Sequence, residues 1–150
     1  MSKLNVGDKI PSFCLQNQDG KEVCILPEDG KKRIIYFYPK DNTKVCTEEA
    51  CSFRDWYDEF LDLGFEVIGI SGDSVSSHHK FKSQHHLNFE LLSDKGGKVR
   101  KLFGATTFFG LVPHRSSFAI DENGKVLKRY DAMFDSSEHV DEMIKILKTN

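Results

Sequence analysis

The stretch Arg33–Ser71, RIIYFYPKDNTKVCTEEACSFRDWYDEFLDLGFEVIGIS, decides the fold of this chain. Its ends, RIIYFY (33–38) and FEVIGIS (65–71), are apolar, β-branched or aromatic runs, as strands buried on both faces require. Between them Cys46, Ala50, Phe53, Tyr57 and Phe60 recur at i, i+4, i+7, i+11 and i+14, one helical stripe facing a sheet, and Gly64 marks its stop. The stretch therefore reads as a βαβ unit.

Working outward, residues 75–87 read as a polar helix opening at an aspartate/serine cap. A short strand FELLSD (89–94) and a helix around KVRKLFG (98–104) follow. SSFAIDENGKVLKRYDA (116–132) is two strands about a turn containing Asn123-Gly124, a strong hairpin signal. The last helix, SSEHVDEMIKILK (136–148), carries Val140, Met143, Ile144 and Leu147 on one stripe. The order is β-α-β-α-β-α-β-β-α, with possible short strands before residue 30. It predicts one α/β domain over residues 1–150, a central mixed β-sheet flanked by helices on both faces, close to the thioredoxin type.

A chain of 150 residues can bury its own core without a staple. Its net charge of -2 lacks the positive excess that nucleic-acid binders use against phosphate, so nucleic acid is not an expected partner. The apolar runs are strand-sized and the start carries no signal-peptide pattern, which reads as a cytoplasmic protein that does not enter membranes. Four cysteines are too few and too unevenly spaced for a disulfide framework; Cys14 and Cys24, without ligand spacing, read as structural.

Cys46 follows a strand, a proline turn at Pro39 and Thr43, and falls in the first turn of a helix. Unpaired backbone N–H groups and the positive end of the helix dipole lie there, and both favour a thiolate over a thiol. Lys44 adds positive charge. From position alone two readings stay open, a small buried hydrophobe on the core stripe or a reactive thiol. Cys51 bears on the choice. Five residues of ideal helix separate two Cα atoms by roughly 8.7 Å, beyond the ~7 Å limit for a disulfide. A bond between Cys46 and Cys51 thus requires local unwinding, which suits a cycle in which the folded helix holds Cys46 ready and the opened turn lets Cys51 capture its oxidised product.

The residues FYPKDNTKVCTEEACSFRD, with VIGIS following and HRSSFAIDENGKV downstream, resemble the peroxiredoxin family, in particular its peroxiredoxin Q or bacterioferritin-comigratory-protein subgroup. The resemblance covers nearly the whole chain, and the Pro-x-x-x-Thr-x-x-Cys pattern at Pro39, Thr43 and Cys46 is specific. It implies a thioredoxin-like fold and a thiol peroxidase acting on hydrogen peroxide and organic hydroperoxides, recycled by thioredoxin or a similar dithiol, needing no cofactor and working as a monomer. By the same resemblance Cys46 attacks peroxide, Cys51 resolves, Thr43 hydrogen-bonds the peroxide and Pro39 shields the site. Arg115 matches the family's active-site arginine, whose planar fork suits the charge developing on the leaving oxygen. One departure stands out: the family commonly has Pro-Gly where this chain has Lys44-Val45, which puts rate and substrate range in question.

His78, His79, His85 and His86 fall on one helix, but zinc pairs usually sit at i, i+4, so a solvated face is the expectation and no metal is assigned. The apolar connection with Phe108, Phe109 and Leu111 reads as core packing or as a wall of the peroxide pocket. Two rivals remain: a general thiol-disulfide oxidoreductase, which would favour Cys-x-x-Cys, and a non-catalytic metal-binding module.

Overall fold

The computed structural model describes residues 4–107, 112–113, 115–131 and 136–149. In chain order the elements are β1 (Phe13–Asn17), β2 (Glu22–Ile25), β3 (Lys32–Phe37), α1 (Lys44–Asp62), β4 (Phe65–Ser71), α2 (Val75–Gln84), β5 (Glu90–Ser93), a 3-10 turn (Lys95–Gly97), α3 (Lys98–Leu102), β6 (Thr106–Thr107), β7 (Val112–Pro113), β8 (Ser116–Ile120), β9 (Val126–Asp131) and α4 (Ser136–Thr149). Phe108, Phe109 and Leu111 lie outside the described residues.

The βαβ unit forms as the apolar runs require: β3 and β4 are adjacent and parallel, with Tyr36 opposite Gly69. The seven strands run β2-β1-β5-β4-β3-β8-β9, with β3, β4 and β5 parallel and the outer pairings antiparallel. This is the mixed sheet of a thioredoxin-like fold. Alternation along the strands sorts the core into two layers. Ile34, Tyr36, Val67 and Leu91 face α1 and α4, while Ile35, Phe37, Ile68 and Ile70 face Val99 of α3 and Phe103 just beyond it.

Helix α1 docks through aromatic stacking as well as its stripe. Phe53 lies on Tyr36 with ring centroids 4.4 Å apart, and Tyr36 in turn stacks on Tyr38 at 5.4 Å. The Tyr36 ring occupies the space above Gly69, where an added Cβ would come within 2.9 Å of it. The Asn123-Gly124 turn joins β8 to β9 as expected; Gly124 has φ +78°, and a Cβ there would meet Pro27 at 2.3 Å. Only glycine satisfies both the turn and the contact.

The cysteines near the N-terminus depart from expectation. Cys14 and Cys24 are paired across β1 and β2, their Cα atoms 4.0 Å apart, and are joined as a disulfide on the exposed side of the hairpin. The turn after Asn17, whose side chain accepts from the Asp19 and Lys21 N–H groups, sets the register that brings them together. Spacing along the chain carries no hint of it.

Tyr36 and Tyr38 are fully buried, and burial above all holds both phenols well above their ordinary range. Unfolding releases them to ionise near pH ~10, so their contribution to stability is intact below that and declines as pH rises past it. The Tyr36 hydroxyl has no hydrogen-bond partner among the described residues. Tyr36→Phe should therefore raise stability by about 1 kcal/mol and soften the alkaline decline, read from urea midpoints at pH 7 and pH ~10.5. A lower midpoint at pH 7 would show that the hydroxyl contributes to stability after all.

Candidate functional site

Cys46 is the third residue of α1, so its own N–H is among those with no intrahelical acceptor. Thr43 stands at the N-cap with extended backbone, but its hydroxyl does not cap; it donates to the Lys40 carbonyl at 2.9 Å. With its hydrogen committed there, the Thr43 oxygen is left to accept. Thr43, Pro39 and Lys44 are exposed, and Val45 is half-buried. Cys46 itself is 1% exposed.

Arg115 reaches this helix because of strand register. β8 runs antiparallel to β3 with Ser116 opposite Phe37, so residue 115 lands beside the end of β3, where the chain turns toward α1. Its Nη1 lies 3.4 Å from the Cys46 Sγ and donates to Glu49 Oε1 at 2.9 Å. All three side chains are buried, Arg115 at 4% exposure and Glu49 at 0%. Burial pulls the Arg115 guanidinium down, yet the Glu49 carboxylate and Cys46 outweigh it and hold the group above its ordinary value, so it stays charged. The structure thus brings Cys46 and Arg115 together, while Thr43 stands at the N-cap of the same helix and Pro39 lies in the exposed loop before it.

Cys51 is half-buried and, like Cys46, a free thiol. Both stand in an unbroken α1, so their Cα atoms are roughly the 8.7 Å apart that helix geometry dictates. Arg54, one turn further on, lies against Cys51 and Asp55 and donates to the His85 carbonyl at 2.7 Å.

Three contributors escape a pattern reading. Glu49 follows Cys46 by three residues, one turn along the same face, and is buried where a charge is normally assigned to solvent. Arg100 of α3 is also buried and donates to the Tyr38 carbonyl at 2.7 Å, holding the backbone just before Pro39. Asp41, in the same loop, accepts from the Tyr38 hydroxyl at 2.6 Å and Ser77 Oγ at 2.8 Å, and lies 2.7 Å from His78 Nδ1. Its own N–H donates to Asp73 at 2.8 Å. The sequence signal for Asp41 is only its place in the PKDNT loop.

The histidines do not share a face as expected. His78 is fully buried, with Nε2 3.0 Å from the Leu92 carbonyl, because α2 packs that side against β5. His79 is exposed near Asp19, and His85 and His86 follow the last turn of the helix. A solvated polar face is thus corrected for His78, which belongs to the loop anchor instead.

The AhpC/TSA family matches residues 6–129 of this chain. A chloroplastic peroxiredoxin Q of Suaeda salsa is 45% identical over 150 residues, covering 99% of this chain and 70% of that protein. The crystal structure of peroxidoxin BcpB from Mycobacterium tuberculosis superposes with a TM-score of 0.89 at 33% identity, covering 97% of each chain. A bacterioferritin comigratory protein of Xanthomonas campestris, described for its alkyl peroxide reduction activity, superposes at 0.85 with 27% identity, over 95% of this chain and 98% of that one. Among the described residues no helix is long and apolar enough to cross a membrane. A buried thiol at a helix start, an arginine delivered to it by strand register and this full-length likeness converge on one conclusion: the chain belongs to the AhpC/TSA family, in its peroxiredoxin Q group, and is a thiol-dependent peroxidase.

Proposed function

We propose that Cys46 is the peroxidatic thiol and Cys51 the resolving thiol of this peroxidase, with Arg115, Thr43 and Pro39 completing the site. The observation that carries the assignment is the Arg115 guanidinium, 3.4 Å from Cys46 Sγ and fixed by Glu49 in a buried setting. The Cys46 thiolate attacks one peroxide oxygen, the O–O bond breaks, and the electron pair leaves with the distal oxygen as water or an alcohol after protonation. The sulfur is left as a sulfenic acid. Arg115 sits where negative charge shifts from sulfur to oxygen, and needs no reorganisation to meet it.

Resolution follows when the first turns of α1 open. The Cys51 thiolate attacks the Cys46 sulfur, hydroxide departs and takes a proton to become water, and a Cys46–Cys51 disulfide results. A dithiol of the thioredoxin kind then returns both sulfurs to thiols by two successive exchanges. Both cysteines belong to one chain, so the cycle requires no second copy, in keeping with a monomer. Alkyl hydroperoxides join hydrogen peroxide as substrates by likeness to the Xanthomonas campestris protein. A cytoplasmic location rests on the strand-sized apolar runs alone, and the matched plant relatives are chloroplastic.

Cys46→Ser should abolish peroxide consumption. Cys51→Ser should allow one rapid turnover and then stall with a sulfenic acid open to over-oxidation, seen in stopped-flow traces and intact mass. Sustained turnover of the Cys51 variant with thioredoxin would remove Cys51 from the cycle. Arg115→Ala should slow the first step by about 10²–10³-fold. Arg115→Lys should recover part of that rate, since charge returns without the planar fork. Equal second-order rates for wild type and both variants would take Arg115 out of the mechanism.

A further inference from the structure

We propose that Cys14 and Cys24 form a second redox centre, a surface dithiol–disulfide couple that exchanges electrons with external dithiols separately from Cys46 and Cys51. The two residues face each other across β1 and β2, directly opposite in the sheet register, with their Cα atoms 4.0 Å apart in the bonded pair. Closing this bond requires no change of secondary structure. The peroxidase pair is the opposite case, because α1 holds Cys46 and Cys51 apart and must unwind before they bond. One fold therefore favours the disulfide at one pair and the two thiols at the other. The Cys14–Cys24 bond is the harder of the two to reduce.

Access and distance make the couple independent. Both cysteines are exposed, and β2 is an edge strand of the sheet, so an incoming thiolate can line up with the S–S bond from solvent. The pairs also stand on different elements, one on the β1–β2 hairpin at the edge of the sheet and the other on α1, which follows β3, three strand spacings or roughly 14 Å from β1. Glu22 Oε1, 3.9 Å from Cys24 Sγ, repels charge at that sulfur and makes Cys14 the one that leaves. In the exchange, a partner thiolate forms a bond to Cys24 as the Cys14–Cys24 bond breaks, and Cys14 departs and takes a proton. The partner's second thiolate then displaces Cys24. The partner dithiol is oxidised to its disulfide, and two electrons and two protons pass to the pair.

The ordering, though not the existence of the second couple, rests on the Cys46–Cys51 assignment. The test uses the full chain, as wild type and as the Cys46→Ser/Cys51→Ser double variant, equilibrated in dithiothreitol buffers of graded oxidised-to-reduced ratio. Free thiols are then alkylated and mapped by peptide mass. In the double variant Cys14 and Cys24 should pass together from alkylated to protected, within one chain. In wild type the Cys46–Cys51 bond should open first, and at its midpoint about nine-tenths of Cys14–Cys24 should remain bonded, a roughly tenfold separation of equilibrium constants. Alkylation of Cys14 and Cys24 at every ratio, or bonds only between chains, would overturn the second couple. Coincident or reversed transitions in wild type would overturn the ordering. A wild type that never joins Cys46 to Cys51 sinks the peroxidase assignment instead, while the double variant still decides the second couple.

Discussion

A guanidinium shared between a thiol and a carboxylate governs the rest of this molecule. Arg115, Cys46 and Glu49 are all buried, and a charge in such a place persists only if it is paired. Glu49 compensates Arg115, which leaves a fixed cation that can also serve the sulfur. Neither group could hold its position alone. The β3–β8 register delivers the arginine and the one-turn spacing on α1 delivers the carboxylate, so sheet topology and helix period meet at a single point.

The loop between β3 and α1 is fixed by buried and half-buried partners. Arg100 holds the Tyr38 carbonyl, Asp73 holds the Asp41 N–H, and the Asp41 carboxylate gathers Tyr38, Ser77 and His78. Opening that broke this anchor would strand several buried polar groups at about 1–3 kcal/mol each. Unwinding that starts past Asp41 avoids the penalty. The residues available for it, from Lys44 onward, are the ones that the proposed Cys46–Cys51 bond would require to move.

The βαβ core was legible because buried parallel strands are continuous apolar runs and α1 keeps a helical stripe, and Ile34, Tyr36, Ala50, Phe53 and Phe60 all fall where those periods put them. The hairpin at Asn123-Gly124 was legible from turn chemistry. Cys46 and Arg115 could be proposed from the resemblance, and strand register then supplied their proximity. Glu49, Arg100 and His78 were not visible because pattern reading sends charged and polar side chains to solvent, and only tertiary partners reverse that. The Cys14–Cys24 bond was hidden for a related reason: a pairing register is a two-strand property, and neither strand states it alone.

The Lys44-Val45 pair gains a physical meaning at this point. Proline at the first helical position would preorganise the turn, whereas lysine there opposes the helix dipole and valine after it loses side-chain freedom. Thr43 gives no side-chain cap, and the first turn carries no acidic residue. Little in the local sequence favours this turn being helical. What holds it is tertiary: the burial of Cys46, Glu49 and Ala50, and the hold of Arg115 on both Cys46 and Glu49. On the proposed cycle, oxidation of Cys46 to a neutral sulfenic acid changes one of the two groups that Arg115 holds on α1 and leaves Glu49 as its charged partner. On that cycle, the step that consumes peroxide weakens the hold on the turn whose opening the next step requires.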